Sequence, residues 1–147
     1  MRVYFAAAMT NPLRDLGAIQ ALVEHLESNG HDVPTRHVAD AAGPEDDSVI
    51  TDTDVARRDL AWLVGCDALV AEVSTPSHGV GIEVATAIAR GLPVLLLHRA
   101  AARVSRLLLG LPGASVAAYA SPADAAAALS TFLAEVEAAL ATEQRTC

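Results

Sequence analysis

AEVSTPSHGVGIE, residues 71–83, is the stretch that decides the fold. It overlaps the end of an apolar run, DALVAEV at 67–73, and such a run is typical of a buried parallel strand. The Ser-Thr-Pro-Ser sequence at 74–77 interrupts that strand. Apolar residues then recur at helical spacing until Gly91, a residue type that ends helices. The stretch therefore predicts a strand, a turn and the start of a helix.

The turn and the helix start have the chemistry of an anion site. Backbone amides in the first turn of a helix lack intrahelical acceptors, so we expect those of Gly79 to Gly81 to face outward beside the Ser77 hydroxyl. Glu83 follows Gly79 by one turn, roughly 6 Å along the helix axis. This is about the span from a nucleotide's 5′-phosphate to its anomeric carbon C1′. A phosphate at the turn would therefore bring C1′ near the carboxylate.

Composition narrows the class of protein. The 147 residues suit one domain, 1–147, with a core of its own. A net charge of −8 argues against a nucleic-acid polymer as partner, whereas a helix N-terminus binds a single nucleotide's phosphate without surplus basic residues. No run reaches the roughly 18 uncharged apolar residues of a membrane span, and we expect no membrane segment or signal peptide. Cys66 and Cys147 lack metal-ligand spacing, which favours a metal-free, cytoplasmic protein.

Strands that alternate with helices predict the architecture. We predict strands at 2–7, 32–37, 67–73, 93–98 and 115–119 and helices at 12–29, 52–64, 104–109 and from 121, besides the helix that ends at Gly91. An acidic loop is predicted at 39–50. The fold class is thus α/β, a single-domain, doubly wound, Rossmann-like five-stranded parallel sheet with helices on both faces. Ligands of such sheets bind beyond the C-terminal ends of the strands, at or near which lie Tyr4, His37, Glu72 and Glu83.

Three segments carry a resemblance to a known family: Tyr4-Phe5, RDLAWL at 58–63 and the block at 71–83. In this order they resemble the 2′-deoxynucleoside 5′-phosphate N-hydrolase family of the nucleoside 2-deoxyribosyltransferase superfamily. The resemblance extends to about Gly110, and PS-x-GVG-x-E is its most specific motif. It implies a homodimeric enzyme without metal or cofactor. It also implies cleavage of deoxynucleoside monophosphates into a free base and 2-deoxyribose 5-phosphate.

The same resemblance implies roles for individual residues. By motif position, Glu83 falls on the family nucleophile, Tyr4 on its hydrogen-bonding partner and Asp59 on its second acidic residue. Ser77 and Gly79 fall on the phosphate cradle. Ser105 matches, after a one-residue gap, a serine that the neighbouring subunit lends to the site.

Two segments depart from the family pattern. AMTNP at 8–12 replaces a Gly-rich, Arg-bearing turn, and we expect this loop, with Met9, to contact the base or the sugar. His78 replaces an apolar residue beside the phosphate site, where it either adds a cationic contact or points to solvent. His37 either lines the base pocket or packs as an ordinary histidine.

The chemistry of these residues supports the roles independently. Departure of a nucleobase generates oxocarbenium character at C1′, which a carboxylate such as Glu83 stabilises or captures. A second acidic group, for which Asp59 is the candidate, protonates the base or handles water, and in retaining enzymes it lies roughly 5 Å from the first. Plainer roles stay open: a surface glutamate favoured by the helix dipole, an exposed aspartate paired with Arg57 or Arg58, and a core aromatic at Tyr4.

Two other functions use the same fold. A transferase would pass the deoxyribosyl group to a second base instead of water with the same glutamate and tyrosine. A non-catalytic nucleotide sensor would keep the glycine-rich turn without needing Tyr4, Asp59 and Glu83 together. The joint presence of these three residues favours an enzyme, and the phosphate cradle favours a nucleotide hydrolase. The residues leave the preferred base and the choice between deoxy and ribo sugar open.

Overall fold

The computed structural model describes residues 1–41 and 50–146 and shows a parallel sheet with helices packed against it. The strands are β1 (Val3–Ala7), β2 (Ala68–Glu72), β3 (Val94–Arg99) and β4 (Ala114–Tyr119), hydrogen-bonded in that order. The helices are α1 (Leu16–Ser28), α2 (Asp52–Val64), α3 (His78–Ala89), α4 (Arg106–Leu109) and α5 (Pro122–Thr146), with a 3₁₀ turn at Arg36–Ala39. Most of the predicted acidic loop at 39–50, and Cys147, lie outside the described residues.

The prediction of a fifth strand at 32–37 is wrong, because the sheet has four strands in the described part of the chain. Asp32 forms one parallel bridge with Arg2 on the free edge of β1. The Val3 amide donates to the Asp32 carbonyl oxygen at 2.8 Å, and the Asp32 amide donates to the Met1 carbonyl oxygen at 3.0 Å. The pairing therefore starts as a strand and stops after one residue pair.

A side chain then takes the place of the missing strand. Pro34 has no amide to contribute to a ladder, which ends the pairing. The buried Thr35 hydroxyl accepts from the Phe5 amide at 3.0 Å and donates to the Phe5 carbonyl oxygen at 2.7 Å. Both polar groups of a core residue are satisfied by one threonine, so the chain turns away at Arg36 without leaving β1 unpaired.

Helices cover both faces of the sheet, as predicted. Alternate residues of a strand point to opposite faces, so Val3 and Phe5 pack in the core formed with α1 and α5. Tyr4 and Ala6 pack in the core formed with α2 and α3. We call these the α1/α5 face and the α2/α3 face. Every residue of β1 is buried, which matches its apolar sequence.

The connections out of β1 define where a ligand site belongs. The chain leaves β1 through α1 to the bridge at Asp32 on one edge, and returns through α2 to β2 on the other edge. The direction of winding thus reverses at β1. Crevices form at such a reversal beyond the carboxyl ends of the strands, which here are the ends of β1 and β2.

α5 is the longest helix. Its segment Pro122–Thr142 is long and apolar enough to cross a membrane by length and composition alone. One stripe of that segment, with Leu129 and Leu133, is buried in the core of the α1/α5 face. Alanines account for much of its remaining apolar character.

The Thr35 hydroxyl makes a measurable contribution to stability. Thr35→Val removes the hydroxyl at constant shape and leaves the Phe5 amide and carbonyl unpaired in the core, which should cost about 2–4 kcal/mol in the free energy of unfolding. Thr35→Ser keeps the hydroxyl and should lose less. Urea unfolding monitored by circular dichroism measures both variants. Thr131→Val on the exposed side of α5 is the matched control, and equal stability of the Val and Ser variants at Thr35 would contradict the role of the hydroxyl.

Candidate active site

A buried tyrosine and a glutamate meet at the reversal point. Tyr4 is 1% exposed on the α2/α3 face of β1, and Glu83 lies in the second turn of α3. The Tyr4 hydroxyl donates to Glu83 Oε1 at 2.6 Å. The residues are 79 positions apart in sequence, and the β1–β2 pairing together with the turn before α3 brings them into contact. The bond fixes one carboxylate oxygen and leaves Oε2 for other partners.

The surroundings of Glu83 raise its pKa. Burial is the largest cause, the hydrogen bond from Tyr4 acts in the opposite direction, and the negative charge of Asp59 raises the pKa further. The pKa of Tyr4 is raised far above its ordinary value by burial, with further contributions from Glu83, Asp59 and Cys66. The tyrosine therefore remains a proton-bearing donor, and the glutamate becomes a carboxylate at a higher pH than an exposed glutamate does.

Asp59 acts on the site through its charge and is also paired with a neighbouring cation, while its role as a second acid stays a prediction. It lies on α2, near enough to raise the pKa of both Tyr4 and Glu83. It also forms an ion pair with its neighbour, in which Arg58 Nε lies 3.0 Å from Asp59 Oδ1. Asp59 thus joins the pair of Tyr4 and Glu83 as a second carboxylate, and it carries a cation of its own.

The start of α3 has fewer free amides than predicted. The Ser77 hydroxyl caps the helix and accepts from the Val80 amide at 3.4 Å. The Gly81 amide donates to the Ser77 carbonyl oxygen at 3.3 Å, so the expectation that all amides from Gly79 to Gly81 face outward is wrong. The outward amides are those of His78 and Gly79, which precede the first intrahelical bond.

The two glycines of the turn keep its surface open. A Cβ at Gly81 would meet no heavy atom within 4 Å, and one at Gly79 would meet only Ser77 Oγ, at 3.8 Å. Neither glycine is therefore needed to avoid a clash within the chain. Their value lies in leaving space at the helix start, where a ligand can approach the backbone closely.

The other predicted site residues lie on different elements and loops of the fold. His78 is exposed as the first residue of α3, and Ser105 is exposed before α4 with a hydroxyl that does not cap the helix. Met9 is partly buried against the core of the α1/α5 face. The half-buried His37 ring packs against Trp62 with centroids 5.6 Å apart and planes inclined by 52°. Their roles in substrate binding stay predictions.

Sequence reasoning missed the cation–π contact that Arg58 forms beside Asp59. The Arg58 guanidinium lies over the Trp62 ring, with its central carbon 4.8 Å from the centroid. The spacing of four residues between Arg58 and Trp62 is the signal that could have revealed this contact, because such residues are neighbours on a helix surface.

Glu72 lies at the end of β2, but its side chain lies on the α1/α5 face of the sheet. Its carboxylate is 2% exposed and accepts from the Tyr119 hydroxyl at 3.0 Å. It also accepts from the amide and the hydroxyl of Ser74, which begins the turn toward α3. The Ser74 hydroxyl in turn accepts from the Arg99 amide at 2.8 Å, so this network ties the turn to β3 and β4.

Neither a metal cluster nor the cavity between α1, β4 and α5 competes with this site in the described part of the chain. Within residues 1–41 and 50–146, no group of three or more His, Cys, Asp or Glu side chains could hold a metal ion. A cavity of about 220 Å³ lies between α1, β4 and α5, lined mainly by alanines with the rings of His25 and Tyr119. It has no carboxylate in its lining and lies on the α1/α5 face, whereas Tyr4 packs on the α2/α3 face.

Fold and site together define a doubly wound α/β protein with a tyrosine-bonded carboxylate at the reversal point of its sheet. The family profile described as nucleoside 2-deoxyribosyltransferase matches residues 3–138, and the chain belongs to this family. A relative from Methanococcoides burtonii is 36% identical over 110 residues, which are 75% of this chain and 90% of the relative. It bears the provisional name 2′-deoxynucleoside 5′-phosphate N-hydrolase 1. The family resemblance seen in the sequence is thus confirmed.

Other comparisons agree on family and fold. The 5-hydroxymethyl-dUMP N-hydrolase of Mus musculus is 40% identical over 99 residues, 66% of this chain and 57% of that protein. The structure of the CMP N-glycosidase of Clostridium botulinum superposes with a TM-score of 0.66 at 22% identity, covering 90% of this chain and 99% of that one. The 2-deoxyribosyltransferase of Bacillus psychrosaccharolyticus gives 0.62 at 18% identity, covering 86% and 90%. These structures share the fold.

The opposing influences on Glu83 predict opposite pKa changes in two variants. Tyr4→Phe removes the hydrogen bond that lowers the pKa of Glu83, so that pKa should rise further. Asp59→Asn removes a negative charge, so the pKa of Glu83 should fall. Titration of carboxyl ¹³C shifts in glutamate-labelled protein measures both, with the Glu83 signal assigned from Glu83→Gln. Shifts of the same sign in the two variants would refute this electrostatic description.

Proposed function

We propose that the chain is a hydrolase that cleaves the N-glycosidic bond of 2′-deoxynucleoside 5′-monophosphates. The products are a free nucleobase and 2-deoxyribose 5-phosphate. The hydrogen bond between Tyr4 and Glu83, one helical turn beyond an open helix start, is the observation that carries the proposal. The names of the relatives from M. burtonii and mouse, both N-hydrolases of nucleotides, support the same reaction.

Glu83 is the nucleophile of this mechanism. As the bond from C1′ to the base breaks, its electron pair stays on the base, which takes up a proton. Positive charge develops on the sugar, and the carboxylate captures C1′ as a glycosyl ester. The Tyr4 hydroxyl holds Oε1, which aims Oε2 at the sugar and keeps the carboxylate in one rotamer. Because the pKa of Glu83 is raised, turnover should decline on acidification before an ordinary glutamate would protonate.

Asp59 serves the second half of the reaction. Its carboxylate accepts a proton from the water that attacks C1′ of the ester, and the Glu83 carboxylate is released with the sugar phosphate. Its place on α2, across from α3, puts the two acids on different elements that pack together.

The 5′-phosphate binds at the start of α3 in this proposal. Ser77 and the outward amides of His78 and Gly79 donate to it, and each charge-assisted bond contributes on the order of 1.5–3 kcal/mol. The positive end of the helix dipole adds to the attraction, and the exposed His78 ring adds a cation when protonated. Nucleosides that lack the phosphate should therefore be very poor substrates.

We further propose a homodimer with shared sites. α2 and α3 pack against each other, and both expose large apolar side chains, Leu60 and Val64 on the first and Ile82 on the second. Exposed apolar patches on paired helices are typical of subunit interfaces. Ser105, exposed and engaged in no cap, is available to close a neighbour's phosphate site.

Substitution of the nucleophile tests the reaction. Glu83→Gln should lower base release from deoxynucleoside monophosphates by about a thousandfold or more, because an amide does not capture C1′. Chromatography of the free base measures the rate of base release, and a panel of deoxy- and ribonucleotides ranks the substrates. Glu24→Gln, an exposed glutamate on α1, is the matched control and should leave the rate unchanged. Near-normal turnover by Glu83→Gln would refute the mechanism.

The same assay separates hydrolysis from transfer. With an excess of a second free base, the hydrolase should still produce 2-deoxyribose 5-phosphate. Predominant formation of the exchanged nucleotide would show that the chain is a deoxyribosyltransferase, and binding of nucleotides without any base release would show a sensor.

Shared sites predict complementation between two defective chains. Ser105→Ala should weaken nucleotide binding, although Ser105 contacts no substrate in its own subunit. Mixing Glu83→Ala with Ser105→Ala chains creates heterodimers in which one site has both Glu83 and a donated Ser105. Activity should then exceed the sum of the parents after subunit exchange, verified by mass spectrometry. Purely additive activity, or a monomer by light scattering, would refute the shared site.

A further inference from the structure

A buried carboxyl group lies at the strand end that leads to the start of α3. Glu72 is the last residue of β2 and is 2% exposed. Within the described part of the chain the buried polar side chains are Thr35, Glu72 and Thr75, so two of the three belong to this strand end and the turn after it. A buried polar group destabilises the fold unless it is hydrogen-bonded, and an apolar residue would avoid that cost. The hydrogen bonds of Glu72 therefore indicate what its carboxyl group does.

Three donors converge on one oxygen of that carboxyl group. Glu72 Oε1 accepts from the Ser74 amide at 3.2 Å, from the Ser74 hydroxyl, and from the Tyr119 hydroxyl at 3.0 Å. The Ser74 hydroxyl also accepts from the amide of Arg99, the last residue of β3, at 2.8 Å. Tyr119 is the last residue of β4. Ser74 is therefore tied to the ends of three strands, β2, β3 and β4.

Beyond Ser74, the turn toward α3 has one long hydrogen bond to a neighbouring segment in the described part of the chain. Backbone pairing with β3 ends at the Val73 amide, which donates to the Leu97 carbonyl oxygen at 2.8 Å. The Thr75 hydroxyl donates to the Leu13 carbonyl oxygen at 3.5 Å, the limit of a hydrogen bond. The position of the turn thus depends largely on Ser74.

The same turn leads to the groups that bind the 5′-phosphate in the proposed function. Three residues after Ser74, the Ser77 hydroxyl caps α3, and the outward amides of His78 and Gly79 follow. Hydrogen bonds weaken steeply when donor and acceptor leave their best geometry. A small shift of the turn should therefore lower the affinity for the phosphate, because several donors would be misplaced together.

Glu83 is held by a different set of contacts. Its partner Tyr4 lies on the α2/α3 face, and α3 packs there through its buried valines. Glu72 and its partner Tyr119 lie on the α1/α5 face. Loosening of the turn should therefore displace the phosphate-binding groups more than it displaces the tyrosine–glutamate pair.

We propose that Glu72 and Ser74 are positioning residues for the 5′-phosphate, which set the affinity for nucleotides from the face of the sheet opposite Tyr4. The inference rests on the proposed function and deepens it. Glu72 acts as a hydrogen-bond acceptor, and Ser74 connects that acceptor to the turn. Tyr119 completes the anchor from β4, although it belongs to the core of the α1/α5 face.

Removal of the network should weaken nucleotides and spare nucleosides. Ser74→Ala and Glu72→Leu should lower kcat/KM for the best deoxynucleoside monophosphate by about tenfold, mainly through a higher KM, with kcat within about threefold of the wild-type value. The corresponding deoxynucleoside has no phosphate to misplace, so its low kcat/KM should stay within about twofold. Tyr119→Phe removes one bond of the anchor and should show a smaller effect of the same kind.

Conservative variants and a stability control separate positioning from folding. Glu72→Gln keeps an acceptor at Oε1 and Ser74→Thr keeps a hydroxyl, so both should retain most of the wild-type affinity for nucleotide. Phe132→Leu removes volume from the core of the α1/α5 face and makes none of these hydrogen bonds. It should lower the melting temperature and leave the KM unchanged. Combining Glu72→Leu with Ser74→Ala should weaken binding little beyond the weaker single variant, because both remove one unit.

Equilibrium dialysis in a Glu83→Gln background measures nucleotide affinity without consuming the nucleotide. Unchanged affinity in Ser74→Ala and Tyr119→Phe would overturn the proposal, and these two variants decide the matter if Glu72→Leu does not fold. An equal loss for nucleotide and nucleoside, or an equal loss of affinity in Phe132→Leu, would overturn it as well. Nucleotide binding without base release in the wild-type chain would instead refute the proposed function, and the affinities would still test the network.

Discussion

The hydrogen bond from Tyr4 to Glu83 joins the first strand of the sheet to the helix that follows the second strand. The Tyr4 ring is buried because it packs in the core of the α2/α3 face. A buried tyrosine needs a partner for its hydroxyl, and the carboxylate is the partner it finds. The position of α3, and with it the helix start, is tied to this bond.

Charge at the site is distributed rather than concentrated. Glu83 is half-buried, and burial together with the negative charge of Asp59 raises its pKa. The Tyr4 hydroxyl donates to Glu83 and acts in the opposite direction, while Arg58 forms an ion pair with Asp59. The partner of Glu83 belongs to the sheet and the partner of Asp59 belongs to a helix, so the two carboxylates are held by different elements. In the mechanism that we propose, this division suits one acid that binds carbon and another that exchanges protons with water.

Sequence reasoning was reliable where several local signals agreed. The apolar run of β2, the cap at Ser77 and the stop at Gly91, whose φ is 75°, all indicate the same strand–turn–helix unit, and the structure has it. The approach of Asp59 to Tyr4 and Glu83 follows from that unit and from the pairing of β1 with β2.

Sequence reasoning failed where a side chain took the place of a backbone hydrogen-bonding group. Residues 32–37 have the composition of a strand, and no periodicity indicates that a threonine hydroxyl will pair with Phe5 in place of a ladder. The number of free amides at the start of α3 was overestimated for a similar reason, because the hydroxyl and the carbonyl of Ser77 both act as acceptors. Glu72 looked like a site residue from its position at a strand end, but strand alternation turns it to the opposite face, where it bonds Tyr119.

The two hydrogen bonds between Thr35 and Phe5 also affect how this fold can diversify. In the described part of the segment between α1 and α2, the recorded hydrogen bonds to β1 and the residues just before it come from Asp32 and Thr35. The strand-like pairing ends at Asp32, so insertions or deletions within residues 36–41 would not shift a row of ladder-paired residues to the wrong face. Evolution can lengthen, shorten or exchange the segment that follows, which includes His37, while the sheet and the tyrosine–glutamate pair stay intact.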